Sequence, residues 1–177
     1  MRIGVMCSGN GSNFENIVHS CPEHDVVLMI YNKENCGAKE RAIRLGIPYC
    51  HLKSTEESEI TRRFTEANVD LIVLAGWMRV LSSEFINSFP DKIINIHPSL
   101  LPKYKGLNVI ERAMESGEVV TGCTVHYVNE ELDSGDIIDQ STVQIYPDDT
   151  IELLTQRVHQ AEYRLLPSVI NQVLDKF

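Results

Sequence analysis

The sequence predicts an α/β protein with a mostly parallel sheet that helices cover on both faces. Short apolar runs recur along the first half of the chain, and amphipathic or charged segments of helical length separate them. Strands that are apolar throughout are typical of parallel sheets that are buried on both faces. After Gly117 the pattern changes to two β-rich segments joined by a short acidic turn, which predicts antiparallel pairing in the C-terminal part.

Five strands and three helices are expected to alternate in the first hundred residues, which is a Rossmann-like pattern. Ser12 is the expected N-cap of the first helix, and Gly46 is expected to close the second. Two more strands and a long C-terminal helix, which starts at residues 148–150, follow. The expected strands are 3–7, 25–31, 47–51, 69–75, 93–96, 119–128 and 137–145, and the earlier helices are 12–20, 38–45 and 55–68.

Composition narrows the classes of protein to consider. With 177 residues the chain is expected to form one domain, residues 1–177, around a single core. The net charge of −9 argues against general nucleic-acid binding, which usually requires a basic face. No apolar run approaches the roughly 18–20 residues of a membrane span, and no signal peptide is recognisable. The five cysteines have no CxxC spacing, which predicts reduced thiols in a cytoplasmic protein.

The stretch from Asn95 to Pro102 follows an apolar strand, so its polar side chains are expected at the carboxyl end of the sheet. Open α/β proteins place their chemistry at this edge. Asn95 can donate a hydrogen bond to a developing oxyanion, and His97 can carry a proton near neutral pH. The acidic turn 129–136 offers carboxylates that could orient the histidine, although residue types alone do not select one. The alternative is that both residues only satisfy local backbone groups.

Two further loops follow predicted strands. The segment Ser8–Asn13 is rich in glycine, and N–H groups at the start of the next helix can hold a phosphate; a simple tight turn is the alternative. The segment Gly76–Leu81 is apolar with one arginine, which suits a flat heteroaromatic ligand bound by backbone groups. The alternative is that Trp77 and Met78 belong to the core. His126 is expected to be a buried structural histidine, and the scattered histidines predict no metal site.

Together these motifs resemble the folate-dependent formyltransferases, in the same order and along nearly the whole chain. The resemblance implies the formyltransferase fold and transfer of a formyl group from 10-formyltetrahydrofolate to the amine of glycinamide ribonucleotide. These two small molecules are therefore the expected partners, with neither nucleic acid nor membrane involved. The motifs that carry the resemblance are Ser8–Asn13, Leu74–Arg79, Asn95–Pro102 and Leu132–Gly135.

The same resemblance implies roles for individual residues. The catalytic residues would be Asn95, His97 and Asp133. Gly11, Ser12 and Asn13 would bind the phosphate of the nucleotide, and Glu162, with His159, Gln160 and Ala161 beside it, would contact the same substrate. The pterin pocket would be lined by Met78, Arg79, Val80 and Leu81 on one side and by Asn129, Glu130, Glu131, Leu132 and Asp133 on the other, with Asn95 beside the folate. A basic residue that meets the folate could be Lys53, Arg62 or Arg63.

Four other functions are alternatives to formyl transfer to glycinamide ribonucleotide. A formyltetrahydrofolate hydrolase, in which water replaces the amine, generally carries an added N-terminal domain, whereas this sequence begins at the first strand. A methionyl-tRNA formyltransferase would need a tRNA-binding domain or a basic patch, and a sugar-amine formyltransferase would not need this phosphate loop. A folate-binding module without activity would not need the catalytic trio. The sequence leaves open whether the protein is a monomer or a homodimer, which folate polyglutamates it prefers and how it is regulated.

Overall fold

The chain folds around one seven-stranded sheet. A computed structural model describes residues 1–177. The strands are β1 (Arg2–Cys7), β2 (Asp25–Tyr31), β3 (Tyr49–His51), β4 (Leu71–Leu74), β5 (Ile93–His97), β6 (Val120–Tyr127) and β7 (Ile137–Gln144). The helices are α1 (Ser12–Ser20), α2 (Gly37–Leu45), α3 (Glu57–Glu66), α4 (Ser83–Ser88), α5 (Val109–Glu115) and α6 (Ile151–Leu174).

The order of the strands is β3-β2-β1-β4-β5-β6-β7. All pairs from β3 to β5 are parallel, and β5–β6 and β6–β7 are antiparallel, which confirms the predicted fold class. The order reverses between β1 and β4, so the crevice at the carboxyl ends of these two strands is the topological switch point, where such sheets bind ligands. Three loops open at this edge: the β1 loop (residues 8–11), the β4 loop (75–82) and the β5 loop (98–108).

Helices bury apolar side chains on both faces of the sheet. The larger core contains Phe14 of α1 and Leu166 of α6, and the smaller one contains Phe64 of α3 and Phe85 of α4. The C-terminal helix α6 begins at Thr150, whose side chain accepts a hydrogen bond from the N–H of Leu153. None of the helices is both long and apolar enough to cross a membrane.

The structure corrects several details of the sequence-based prediction. Helices α4 and α5 were not predicted, and β3 is shorter than expected because it begins after Pro48, which has no N–H to donate. The N-cap of α1 is Gly11, not Ser12. Gly11 has φ 78°, and a Cβ there would lie 2.7 Å from the Cα of Ala38. The chain can therefore enter α1 in this way only with glycine at residue 11.

Candidate active site

An open cleft lies at the carboxyl edge of the sheet, where β4 and β5 end and β6 passes. The β4 loop forms one side, and the acidic turn (residues 129–136), which lies between β6 and β7, forms the other. The two segments are brought together because β5 lies between β4 and β6 in the sheet. The residues of the predicted site that line the cleft are Arg79, Val80, Leu81, Asn95, Asn129, Glu131, Leu132 and Asp133, and His126 joins them.

The amide of Asn95 is oriented by His126, its cross-strand neighbour in the antiparallel β5–β6 pair. His126 Nδ1 lies 2.8 Å from the carbonyl oxygen of Tyr127, and since a carbonyl only accepts, Nδ1 carries the proton. Its Nε2, 3.2 Å from Asn95 Nδ2, therefore accepts a hydrogen bond from the amide. Burial lowers the pKa of His126, which favours this neutral form. One N–H and the oxygen of the Asn95 amide are left without a protein partner.

His97 and Asp133 form a close, buried pair. His97 Nδ1 lies 3.4 Å from Asp133 Oδ1, and each side chain is 7% exposed. The other ring nitrogen, Nε2, donates to the carbonyl oxygen of Tyr104 at 2.8 Å, which fixes the plane of the ring. Asp133 is held in turn by the N–H of Gly106, which donates to its Oδ2 at 2.9 Å. Of the carboxylates in the acidic turn, Asp133 is therefore the one that the fold places against the histidine.

The β5 loop is fastened to the sheet by Thr124 of β6. The buried Thr124 hydroxyl donates to the carbonyl oxygen of Ser99 at 2.7 Å and accepts a hydrogen bond from the N–H of Leu101 at 3.1 Å. Gln140 of β7 donates to the same hydroxyl and to the carbonyl oxygen of Leu101, both at 2.9 Å. These bonds fix the chain just after His97 and so set the geometry of the histidine and its carboxylate.

The β4 loop presents its backbone to the cleft. From Trp77 to Leu81, the N–H of Met78 is the one backbone group with a hydrogen-bond partner inside the protein, the hydroxyl of Ser8 at 3.0 Å. The N–H and C=O groups of Arg79, Val80 and Leu81 remain available, because unsatisfied backbone groups must find water or a ligand. This arrangement suits a flat heterocycle that offers donors and acceptors along one edge.

The β1 loop is hydrogen-bonded to α2 at the start of α1. The N–H of Ala38 donates to the carbonyl oxygen of Gly9 at 3.2 Å, and Arg41 Nε donates to that of Asn10 at 2.8 Å. The guanidinium of Arg41 also pairs with Glu15 of α1. The N–H groups of Ser12 and Asn13 at the beginning of α1 have no hydrogen-bond partner in the protein, as in sites that bind phosphate at a helix N-terminus.

Helix α6 places Glu162 beside the start of α1. Glu162 is 5% exposed, and burial raises its pKa to about 8, although contact with the side chain of Asn13 partly offsets this effect. His159 Nε2 lies 3.8 Å from Glu162 Oε1, one turn away on the helix. The Oδ1 of Asn13 is buried and has no protein partner. Asn13, His159 and Glu162 thus form a polar group next to the β1 loop.

Some residues of the predicted site lie elsewhere. The side chain of Ala161 packs in the hydrophobic core, and Gln160 is exposed, so neither side chain joins the polar group of Glu162. Met78 and Glu130 do not line the cleft. No group of three or more His, Cys, Asp or Glu side chains is arranged to hold a metal ion.

The three candidate basic residues differ in their surroundings. Arg62 and Arg63 both bind Glu59 of the same helix, with Arg63 Nε 3.1 Å from Glu59 Oε1. The ammonium of Lys53 and the guanidinium of Arg79, which lies at the cleft, are exposed and have no carboxylate partner. Of these four basic side chains, those of Lys53 and Arg79 therefore keep a charge that is free to meet an anionic ligand.

Comparison with known proteins agrees with this geometry. The family model described as formyl transferase matches residues 1–170. The chain belongs to the formyl transferase family. Among solved structures, phosphoribosylglycinamide formyltransferase from Bacillus halodurans is similar with a TM-score of 0.94 and 36% identity, over 99% of this chain and 96% of that one. The enzyme of the same name from Streptococcus pneumoniae has a TM-score of 0.93 and 32% identity, with 98% of each chain covered.

Curated relatives of this formyl transferase family member are much longer proteins. The trifunctional purine biosynthetic protein adenosine-3 of Drosophila melanogaster is 42% identical over 98% of this chain, which spans 14% of that protein. The protein of the same name from Gallus gallus is 39% identical over 98% of this chain, which spans 18% of it. The similarity is therefore confined to one part of each of these relatives.

Sequence reasoning missed two residues that shape the site of this family member. His126 is buried and hydrogen-bonded, as predicted, but it also lines the cleft and orients Asn95. Thr124, two residues earlier on the same face of β6, fastens the β5 loop. The sequence did contain one indication of these roles. Thr124 and His126 are two residues apart on one strand, and residues i and i+2 face the same side of a sheet. Their partners on β5 could be identified only once the register was known.

Proposed function

We propose that this chain transfers a formyl group from 10-formyltetrahydrofolate to the amine of glycinamide ribonucleotide. The observation that carries the proposal is the placement of Asn95, His97 and Asp133 together at one edge of the sheet, where they can supply hydrogen-bond donors and a proton relay. Membership of the formyl transferase family and the similarity to phosphoribosylglycinamide formyltransferases support the choice of substrates.

Asn95 and His97 would stabilise the tetrahedral intermediate. The amine nitrogen attacks the formyl carbon, a C–N bond forms and negative charge develops on the formyl oxygen. The second N–H of the Asn95 amide, which no protein group uses, can donate to that oxygen, and a protonated His97 adds positive charge. Removal of one such donor typically raises the barrier by about 2.7–4 kcal/mol.

Asp133 would manage the proton of the reaction. The attacking amine must lose a proton, and N10 of the folate must gain one as the bond between N10 and the formyl carbon breaks. Asp133 lies 3.4 Å from His97 Nδ1, and its carboxylate can accept the amine proton directly or through water. The tetrahydrofolate and the formylated amide then leave with atoms and charge balanced.

The two substrates would occupy the two sides of this edge. The pterin would lie in the cleft against the free backbone groups of Arg79, Val80 and Leu81, with the acidic turn opposite. The phosphate of the nucleotide would bind the N–H groups at Gly11, Ser12 and Asn13. Glu162 and His159 would contact the rest of that substrate, and a carboxyl group that is partly protonated at neutral pH can donate as well as accept.

We also propose that residues 1–177 act as a single formyltransferase domain in the cytoplasm. The single sheet and the family match to residues 1–170 support the first statement. The five unpaired cysteines, four of them buried, suit a reducing compartment. The expected partners are the two small molecules.

A spectrophotometric assay of 10-formyltetrahydrofolate consumption tests the proposal. The purified protein should consume the donor only when glycinamide ribonucleotide is present, and the Asn95→Ala variant should lose most of that rate while still binding tetrahydrofolate. Consumption that does not depend on the amine would indicate a hydrolase. Binding of the folate with no turnover under either condition would indicate a binding module.

A further inference from the structure

Ser8 connects the β1 loop to the β4 loop at the topological switch point. It follows β1 directly and is 1% exposed. Its N–H donates to the carbonyl oxygen of Gly76 at 3.0 Å, and its hydroxyl accepts a hydrogen bond from the N–H of Met78 at the same distance. One buried side chain thus bonds across the crevice between β1 and β4.

Ser8 makes two of the hydrogen bonds that anchor the β4 loop, those to Gly76 and Met78. The N–H of Ala75 donates to the carbonyl oxygen of Met6 at 2.9 Å where the loop begins, and the N–H of Ser82 donates to Glu57 at 3.0 Å at the opposite end of the loop. Between Met78 and Ser82 no backbone group has a partner inside the protein. The position of the groups that would face the pterin is therefore set by Ser8 at one end and by Glu57 at the other.

The β1 loop, in contrast, is fastened independently. Ala38 and Arg41 of α2 bind the carbonyl groups of Gly9 and Asn10, as described above. An anion held at the start of α1 would further restrict the backbone next to Ser8. Since Ser8 then has fewer conformations available, the hydrogen bonds that it makes to the β4 loop are more often formed.

We infer that Ser8 is a positioning residue that couples the two substrate sites, an inference that rests on the proposed function. Occupation of the phosphate site holds Ser8, and Ser8 holds the β4 loop in the conformation that binds the pterin. By thermodynamic linkage, each substrate then strengthens the binding of the other by the same factor. The coupling free energy cannot exceed the net stabilisation by the hydrogen bond that carries it, which is about 0.5–1.5 kcal/mol for neutral groups. Each substrate should therefore lower the Kd of the other by about 2- to 12-fold.

Calorimetric titration with tetrahydrofolate, in the absence and presence of saturating glycinamide ribonucleotide, measures this factor. Tetrahydrofolate carries no formyl group, so no transfer occurs and both ligands stay bound at equilibrium. In the wild-type protein the nucleotide should lower the Kd of tetrahydrofolate about 2- to 12-fold. In Ser8→Ala, which lacks the hydroxyl but keeps the backbone bond to Gly76, the ratio of the two Kd values should fall toward one.

Two further variants separate coupling from a general loss of structure. Ser8→Cys preserves the shape of the buried side chain but accepts hydrogen bonds weakly, so its ratio should lie between those of wild type and Ser8→Ala. Glu57→Ala removes the anchor that has no connection to the β1 loop. It should weaken tetrahydrofolate binding while leaving the ratio unchanged. Circular dichroism and thermal unfolding establish that each variant is folded.

A wild-type ratio of one, or an unchanged ratio in both Ser8 variants, would overturn the inference. Failure of the proposed function would look different, because the wild-type protein would then not bind the nucleotide or would not transfer the formyl group to it. A protein that transfers the group but shows no coupling refutes only the role of Ser8. If Ser8→Ala does not fold, the ratio in Ser8→Cys decides.

Discussion

Replacement of His126 tests the idea that this residue acts through Asn95. His126→Leu removes the nitrogen that accepts the Asn95 amide N–H at 3.2 Å, while keeping a side chain of moderate size in a buried position. The lost bond is between neutral groups and contributes about 0.5–1.5 kcal/mol, which corresponds to roughly 2- to 12-fold in rate if Asn95 is only loosened. If the amide instead turns away from the site completely, kcat should fall as much as on removal of an oxyanion donor, which is about 10²- to 10³-fold.

The assay is the steady-state rate of formyl transfer for wild type, His126→Leu, Asn95→Ala and the double variant. We expect kcat of His126→Leu to fall by about 10-fold, within the range set above. In the Asn95→Ala background the same replacement should have little further effect, because the amide that it orients is already gone. His126→Gln is the matched control, since its amide oxygen can again accept from Asn95 and should recover much of kcat.

The pH dependence provides a second readout. Burial lowers the pKa of His126, while Asp133 opposes this shift and His97 adds to it. The neutral form is therefore present at pH 7, and as the pH falls through the lowered pKa, Nε2 becomes a donor and no longer accepts from the amide. The kcat of the wild type should therefore fall as the pH drops below the pKa of His126, because the hydrogen bond that orients Asn95 is lost. The kcat of His126→Gln should not show this fall. Multiplicative losses in the double variant would show that His126 acts independently of Asn95, which would refute the reasoning.

Three further predictions concern the rest of the site. Asp133→Asn keeps an oxygen for the Gly106 N–H but loses the charge, so kcat should fall by about 10²- to 10⁴-fold with little change in tetrahydrofolate affinity; wild-type turnover would contradict this. Burial raises the pKa of Glu162 to about 8, whereas the pKa of a glutamate in the unfolded chain is about 4.3, so the native state binds this proton more tightly. The resulting stabilisation of the native state is complete below about pH 4.3 and is lost as the pH rises through 8. Glu162→Gln should therefore raise Tm relative to wild type more at pH 9 than at pH 5, and an equal difference at both would contradict the assignment. Gly11→Ala should lower the free energy of unfolding by about 1–3 kcal/mol, because residue 11 has φ 78° and lies against Ala38. The same change should raise KM for the nucleotide. An unchanged midpoint of chemical denaturation would contradict this prediction.

The long, regular elements were predictable because their pattern is local. Strand β2 occupies Asp25–Tyr31 and α1 occupies Ser12–Ser20, the bounds that apolar runs and helical spacing indicate. Helices α4 and α5 have six and seven residues, too few for a helical period to be recognised. Ser82, whose hydroxyl accepts the N–H of Phe85, was the one capping signal for α4.

The part of the site that could be predicted from the sequence is the part that lies on one strand. Asn95 and His97 share one face of β5 because they are two residues apart, and their loop had to open at the carboxyl edge. The choice of Asp133 by residue type alone was impossible, since it depends on the antiparallel register and on the contact with Gly106. The role of His126 was missed for the same reason, because it exists only once Asn95 lies opposite.

The unpaired backbone of the β4 loop has a consequence for how this segment can vary. The groups that this loop offers to the cleft are N–H and C=O groups of the main chain, and the side chains of Arg79 and Val80 make none of the hydrogen bonds that hold the loop in place. Gly76, in contrast, adopts φ 83°, where any other residue strains the turn that starts the loop. Substitution of Val80 should therefore disturb the main-chain path less than substitution of Gly76, so the lining of this cleft can be altered without moving the backbone groups that face it.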